Sequence, residues 1–207
     1  MSGSRAVVLA TGNRGKAAEI RNLLADVPVT ILSLADLDLT LEVEETGATY
    51  AENALLKARA AAALAGEPVM ADDSGIEVDA LDGAPGIHSA RFAGPNATDP
   101  ENNSLLLRRL ADIPDPHRRA RFVCTAVLVD PRESGREEII CTGEWPGTIA
   151  HDLRGESGFG YDPLFLIPEQ GRTVAELGEK YKQQHSHRAR AFRALAPYLE
   201  ALYRPEQ

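Results

Sequence analysis

Hydrophobic positions along the chain switch between short unbroken runs and sets spaced at three or four residues, and that switching predicts alternating strands and helices. Ala6-Val7-Val8-Leu9-Ala10 is continuous and rich in β-formers, as a strand buried on both faces would be. The turn-rich loop Thr11-Gly12-Asn13-Arg14-Gly15-Lys16 follows. Ile20, Leu23 and Leu24 then recur at helical spacing, predicting a helix to about Asp26. Residues 29–32 read as a second strand, and residues 34–41 fit either period. Thr49 with Glu52 three residues on forms a capping box, so a helix should start there, run through the alanine-rich stretch to Ala65 and stop at Gly66. Val69-Met70-Ala71 is a short buried strand that reads as ending in the turn-like Asp72-Asp73-Ser74-Gly75. Residues 76–81 read as extended, and residues 82–86 as a loop.

In the second half, Thr98 or Asp99 starts a helix carrying Leu105, Leu106, Leu107 and Leu110. Residues 121–129 and 138–144 read as a hairpin centred near Glu133, which puts Cys124 roughly opposite Cys141 or Thr142 as neighbouring free thiols. Residues 164–167 are a strand, and 174 to about 182 a short helix. A last helix runs from near Ser186 to about Tyr203, with a bend at Pro197. Strands alternating with helices, plus one hairpin, give an α/β fold with a mixed sheet. No repeat, linker or low-complexity segment interrupts the chain, so residues 1–207 read as a single domain.

Composition narrows the function. A chain of 207 residues with 43% hydrophobic content can bury a sizeable core. Its net charge of −9 argues against coating a nucleic-acid polymer or an anionic membrane, where a basic face is expected. A phosphate ligand remains compatible, provided a metal ion and a few placed cations overcome the background charge. Two cysteines without a C-x-x-C pair argue against a zinc site or a disulfide framework. The apolar run 6–10 is too short for a signal-peptide core or a membrane span, and a cytoplasmic location is expected.

Six segments carry candidate chemistry. The strand–turn–helix loop of Thr11, Gly12, Asn13, Arg14, Gly15 and Lys16 is an anion site by its backbone N–H groups and helix dipole. It is not a Walker A loop, and taken alone it is equally a plain turn. Glu44-Glu45 by itself reads as a solvated acidic loop. Asp72-Asp73-Ser74-Gly75 brings carboxylates to a strand end, where open α/β sheets bind ligands, and hard oxygens suit Mg²⁺. Asn53 and Lys57 share a helix face at i, i+4. Gly158-Phe159-Gly160-Tyr161-Asp162-Pro163 offers aromatic rings among glycines, a shelf for a planar base. Ser186-His187-Arg188, with Lys182 just before it, supplies hydrogen-bond donors. His88, His117, His151 and His185 have no metal-like spacing, and Trp145 reads as packing.

Thr11-Gly12-Asn13-x-Gly15-Lys16, Glu44-Glu45-Thr46-Gly47, Glu52-Asn53-Ala54-x-x-Lys57-Ala58, Ala71-Asp72-Asp73-Ser74-Gly75, Gly83-Ala84-Pro85-Gly86-Ile87-x-Ser89-Ala90-Arg91-Phe92, Gly158-Phe159-Gly160-Tyr161-Asp162-Pro163 and Ser186-His187-Arg188 occur in this order. The ordered set resembles the inosine/xanthosine triphosphate pyrophosphatase family, the Ham1-like non-canonical purine pyrophosphatases, over nearly the whole chain. The resemblance implies two α/β lobes around a long mixed β-sheet with a nucleotide-binding cleft between them, a homodimer and a Mg²⁺ requirement. It implies hydrolysis of dITP/ITP and XTP/dXTP to the monophosphate and pyrophosphate. By motif, Thr11, Asn13 and Lys16 resemble triphosphate contacts, and Glu45 and Asp73 the metal ligands, with Asp73 also the proton acceptor. Ser74, Phe159, Gly160, Tyr161, Asp162, Lys182, His187 and Arg188 resemble nucleotide contacts. Lys180 lies close enough to compete with Lys182, and Asp72 and Glu44 could serve a second ion. Lys16 and Lys57 are placed to offset charge on the leaving pyrophosphate. The alternatives are a Maf-like pyrophosphatase of modified pyrimidine nucleotides and a non-catalytic nucleotide sensor; the glycine spacing of the first loop opposes a P-loop NTPase.

Overall fold

The computed structural model describes residues 5–132 and 138–203. Seven strands form one mixed sheet in the order β2-β1-β3-β4-β5-β6-β7. β1 (Ala6–Leu9) runs parallel to both β2 (Thr30–Ser33) and β3 (Val69–Val78), with Leu9 opposite Ser33 and Met70. At the other end β5 (Ile139–Ile149), β6 (Phe165–Ile167) and β7 (Arg172–Thr173) are antiparallel. β4 (Arg119–Val129) lies between β3 and β5. The centre proposed for the β4–β5 hairpin, Glu133, lies outside the described residues.

The chain divides into two compact units. The first takes in the described residues up to Asp73, Cys124–Thr142, and those from Arg190 on. Its sheet is covered on both faces, and the strand period of two sorts the side chains. Val7, Leu9, Met70, Cys124, Ala126 and Leu128 share a core with Ile20 and Leu24 of α1 (Arg14–Leu23) and with Phe192, Leu195 and Leu199 of α6 (His187–Ala201). Val8, Ala10, Val69, Ala71 and Val127 face the other way, onto Ala54, Ala58, Ala61 and Ala62 of α2 (Tyr50–Ala65). A stripe of alanines lets that helix lie close to the strands. Thr49 caps it by accepting from the Glu52 N–H at 3.1 Å, and Gly66, at φ +66°, ends it. The Glu52 carboxylate reaches back one residue further than expected, to the Ala48 N–H at 2.6 Å. Neither cysteine is in a disulfide, and Cys141 packs against the cluster containing Cys124. Thr142 stands across from Thr125, with Oγ atoms 3.1 Å apart.

The second unit is Ser74–Val123 with Gly143–Ala189. Its core gathers Ile76, Val78, Phe122, Trp145, Ile149, Tyr161, Leu164 and Phe165, together with Leu106 and Leu110 of or beside α3 (Asp99–Arg109). Trp145 is therefore packing, as its sequence context suggested. Thr98 and Glu101 form the capping box of α3. Arg118, 2% exposed, donates to the carbonyls of Leu110, Ile113, Ile149 and Ala150. Burial lowers its guanidinium from the ordinary arginine value, yet four carbonyl partners meet its donors.

Three elements differ from their sequence reading. Asp72-Asp73-Ser74-Gly75 is not a turn: β3 passes straight through it from Val69 to Val78. β5 likewise continues through Trp145-Pro146-Gly147 to Ile149. Pro146 is tolerated ahead of the pairing with β6, which begins at Thr148. The helix expected over 174–182 is two, α4 (Val174–Leu177) and α5 (Glu179–His185), broken at Gly178 with φ +80°. Among the described residues, no helix is long and apolar enough to cross a membrane.

Candidate active site

In the first unit, the loop after β1 turns into α1 through local hydrogen bonds. The Asn13 N–H donates to Thr11 Oγ1 at 3.2 Å, and Asn13 Oδ1 accepts the Lys16 N–H at 3.0 Å as the N-cap. Thr11 and Asn13 therefore shape the loop, and Arg14, Gly15 and Lys16 form the first turn of the helix. The Lys16 ammonium lies 3.2 Å from Asp72 Oδ2, whose side chain is fully buried. Cys124 Sγ contacts that same oxygen at 3.7 Å. Asp72 thus meets both Lys16 and Cys124 through one oxygen, Oδ2.

On the opposite face, Lys57 Nζ lies 2.8 Å from Glu45 Oε1 and 3.7 Å from Asp73 Oδ1. Glu45 comes from the loop before α2, Lys57 from α2 and Asp73 from the middle of β3. The two carboxylates expected to share a divalent cation thus already share one ammonium, and their facing oxygens lie no further apart than those two distances end to end. Burial is the largest influence on Asp73 and holds its carboxyl above the ordinary aspartate value, against the pull of Lys57 and Lys16; Glu45 adds to the rise. For Lys57 burial is again the largest influence and disfavours its charge. Asp73, Asp72 and Glu45 together outweigh it and hold Lys57 above the ordinary lysine value. Among the described residues no group of three or more His, Cys, Asp or Glu is disposed to hold a metal. An oxygen-ligated ion here would draw on a carboxylate pair and on substrate phosphates, the usual habit of Mg²⁺.

In the second unit, the aromatic loop and the start of α6 form a donor-rich cluster. Lys182 Nζ lies 2.6 Å from Asp162 Oδ2 and 4.1 Å from the centroid of the Phe159 ring. Asp162 Oδ2 also accepts the Phe159 N–H at 3.0 Å. The Arg188 guanidinium stands 5.8 Å from the same ring and donates to Ser74 Oγ at 2.9 Å. Lys182 is 4% exposed, whereas Lys180 is exposed, so Lys182 is the lysine that joins the cluster. Ser186 caps the last helix through the Ala189 N–H at 3.1 Å. His187 is buried and stacks on Phe122 at 4.7 Å.

Of the two aromatics in the loop, Tyr161 is buried in the core and donates its hydroxyl to the Ser89 carbonyl at 2.8 Å. That leaves Phe159 as the ring with a part-exposed face. The sequence reading overlooked what holds this loop: Gly160 donates its N–H to Asp99 Oδ2 at 2.6 Å and accepts Asn103 Nδ2 at 2.9 Å. Asp99 and Asn103 stand one turn apart on α3, and that spacing was the available signal.

The Ham1 family model matches residues 7–198. The chain is 49% identical to the dITP/XTP pyrophosphatase of Salmonella paratyphi A over 196 residues, 95% of this chain and 97% of that one. Among solved structures, a HAM1 protein from Coxiella burnetii superposes with a TM-score of 0.85 at 41% identity, covering 95% of this chain and 98% of that one. A nucleoside-triphosphatase / dITP/XTP pyrophosphatase from Mycobacterium abscessus gives 0.74 at 44% identity, covering 93% and 99%.

Proposed function

Because the chain belongs to the Ham1 family, we propose that it hydrolyses non-canonical purine nucleoside triphosphates, dITP/ITP and XTP/dXTP, to the monophosphate and pyrophosphate, and so clears them from the nucleotide pool. The observation that carries the reading is the ammonium of Lys57 set between Glu45 and Asp73, with Lys16 close by in sequence to the α1 N-terminus. Two carboxylates of separate chain segments converge there on the space of one cation. Glu45 and Asp73 would hold Mg²⁺, which when bound neutralises phosphate charge and polarises the reacting group.

The reaction needs water to attack the α-phosphorus while pyrophosphate leaves. Asp73 takes the proton from that water. Lys16 and Lys57 offset the negative charge that accumulates on the leaving pyrophosphate, the dominant contribution in phosphoryl transfer. Thr11, Gly12, Asn13, Arg14 and Gly15 place the α1 N-terminus against the triphosphate.

The base belongs with Phe159, Lys182 and Arg188. Hypoxanthine and xanthine carry an acceptor oxygen at position 6, where adenine carries a donor amine. Lys182 and Arg188, both near the Phe159 ring, are donors only. Adenine would set donor against donor, a mismatch that can reject by ~10⁴-fold. Guanine keeps the 6-oxygen, so its exclusion rests on its 2-amino group. The protein would act in the cytoplasm as a homodimer, and sedimentation would show the dimer. Pyrophosphate release from dITP, XTP, GTP and ATP assayed in parallel tests the reading: dITP and XTP should lead. ATP as the best substrate, or orthophosphate as the product, would refute it.

A further inference from the structure

Asn53 is the residue of the α2 face for which the reaction above has no use. It is fully buried, and its amide joins the two segments that supply the acidic pair. Asn53 Oδ1 accepts the Gly47 N–H at 2.8 Å, two residues after Glu45. Asn53 Nδ2 donates to Asp73 Oδ2 at 3.3 Å. The partners fix the orientation of the amide: a backbone N–H only donates, and a carboxylate only accepts, so a flipped amide would satisfy neither. With Oδ2 of Asp73 held by Asn53, its other oxygen, Oδ1, is the one turned to Lys57 at 3.7 Å.

Gly47 allows this approach. A Cβ there would come within 2.7 Å of both Asn53 Oδ1 and Glu52 Cβ, so the loop can reach the amide only with no side chain at that position. Asparagine is the side chain of this length with one donor end and one acceptor end. Aspartate would present an oxygen to Asp73, and leucine would meet neither partner.

We propose that Asn53 is the positioning residue of the metal pair: it fixes the Asp73 carboxylate and the Glu45 loop in one geometry before any ion binds. This inference rests on the reading of Glu45 and Asp73 as the ion-holding pair. Partners one step behind a metal's ligands typically change metal affinity or activity by ~10–100-fold when removed.

Asn53→Leu tests it, with Asn53→Ser as the second variant should Leu fail to fold. Mn²⁺ affinity is read by electron paramagnetic resonance without nucleotide, at a temperature where circular dichroism shows the variant folded. Steady-state kinetics with dITP run beside it. Either variant should weaken Mn²⁺ binding ~10–100-fold and lower kcat similarly. KM for dITP should stay within about threefold, because the lost interaction does not touch substrate. In an Asp73→Asn background, Asn53→Leu should cost little further Mn²⁺ affinity, since the two act as one unit. Wild-type Mn²⁺ affinity and kcat in both variants, or fully additive losses in the double variant, would overturn the inference while Asp73→Asn still abolishes turnover. Full turnover by Asp73→Asn would instead overturn the underlying reading.

Discussion

Replacing Lys182 with Met removes an ammonium 2.6 Å from Asp162 Oδ2 and keeps much of the apolar stem. The two side chains are 5% and 2% exposed, so little solvent screens the pair. Breaking such a buried pair from one side costs ~3–5 kcal/mol, because the remaining charge stays desolvated. The Phe159 N–H still donates to Asp162 at 3.0 Å, which puts the expected loss at the lower end. A domain of this size loses ~2–4 °C in Tm per kcal/mol, so Tm should fall by roughly 6–12 °C for a loss of about 3 kcal/mol. Scanning calorimetry on Lys182→Met, Asp162→Asn and the double variant reads this directly. The double variant, neutral on both sides, should recover most of the lost stability without recovering activity, since the Phe159 ring has lost the nearer of its two cations. A Tm for Lys182→Met within ~2 °C of wild type, or a double variant as unstable as the two losses added, would refute the assignment of this pair as buried and mutually dependent.

Asp73→Asn should cut kcat by ~10²–10⁴, the range for a lost general base, with the fold intact by circular dichroism; near-full turnover would remove Asp73 from that role. Because burial raises the Asp73 carboxyl above 3.8 and a base works ionised, kcat/KM at limiting Mg²⁺ should fall as pH drops through a value above 3.8. Added Mg²⁺ favours the ionised form and should move that limb to lower pH; a limb that ignores Mg²⁺ contradicts the pairing. Gly158→Ala sets a Cβ 2.2 Å from Asp162 Oδ2 at a φ of +84°. The backbone conformation alone costs ~1–2 kcal/mol, and the displaced carboxylate should raise KM for dITP more than it lowers kcat. A wild-type KM would show that Asp162 does not set the shelf.

Local chemistry made much of this molecule legible in advance. The caps at Thr49 and Ser186, the stop at Gly66 and the alanine face of α2 follow from residue type, and the structure has them. β3 was misread for a reason equally physical. Asp-Asp-Ser-Gly has the composition of a turn, but β3, which neighbours β4 in the sheet, keeps its extended form through residues that alone would leave it. Pro146 and Gly147 hid the end of β5 in the same way. At the site, the ordered motifs named Lys57, Glu45 and Asp73, and the structure brings those three together. Asn53 was visible one turn before Lys57, but its role depends on Gly47 and Asp73 meeting it from separate segments. Spacing within a helix carries no information about such a meeting. Tyr161 was read with Phe159 as a shelf, and only its hydrogen bond to Ser89 separates anchor from ring face.

The unbroken course of β3 bears on how this chain can change over generations. Successive side chains of a strand leave on opposite sides, so Asp72 meets Lys16 beside Cys124 while Asp73 meets Lys57 beside Asn53. Adjacent acids of like charge are thereby given unlike neighbours, and neither can stand in for the other. One codon gained or lost between Val69 and Ala71 would exchange their surroundings and turn the side chains of β3 on one side of it to the other face. Drift by substitution is open to that stretch, but drift by length is closed.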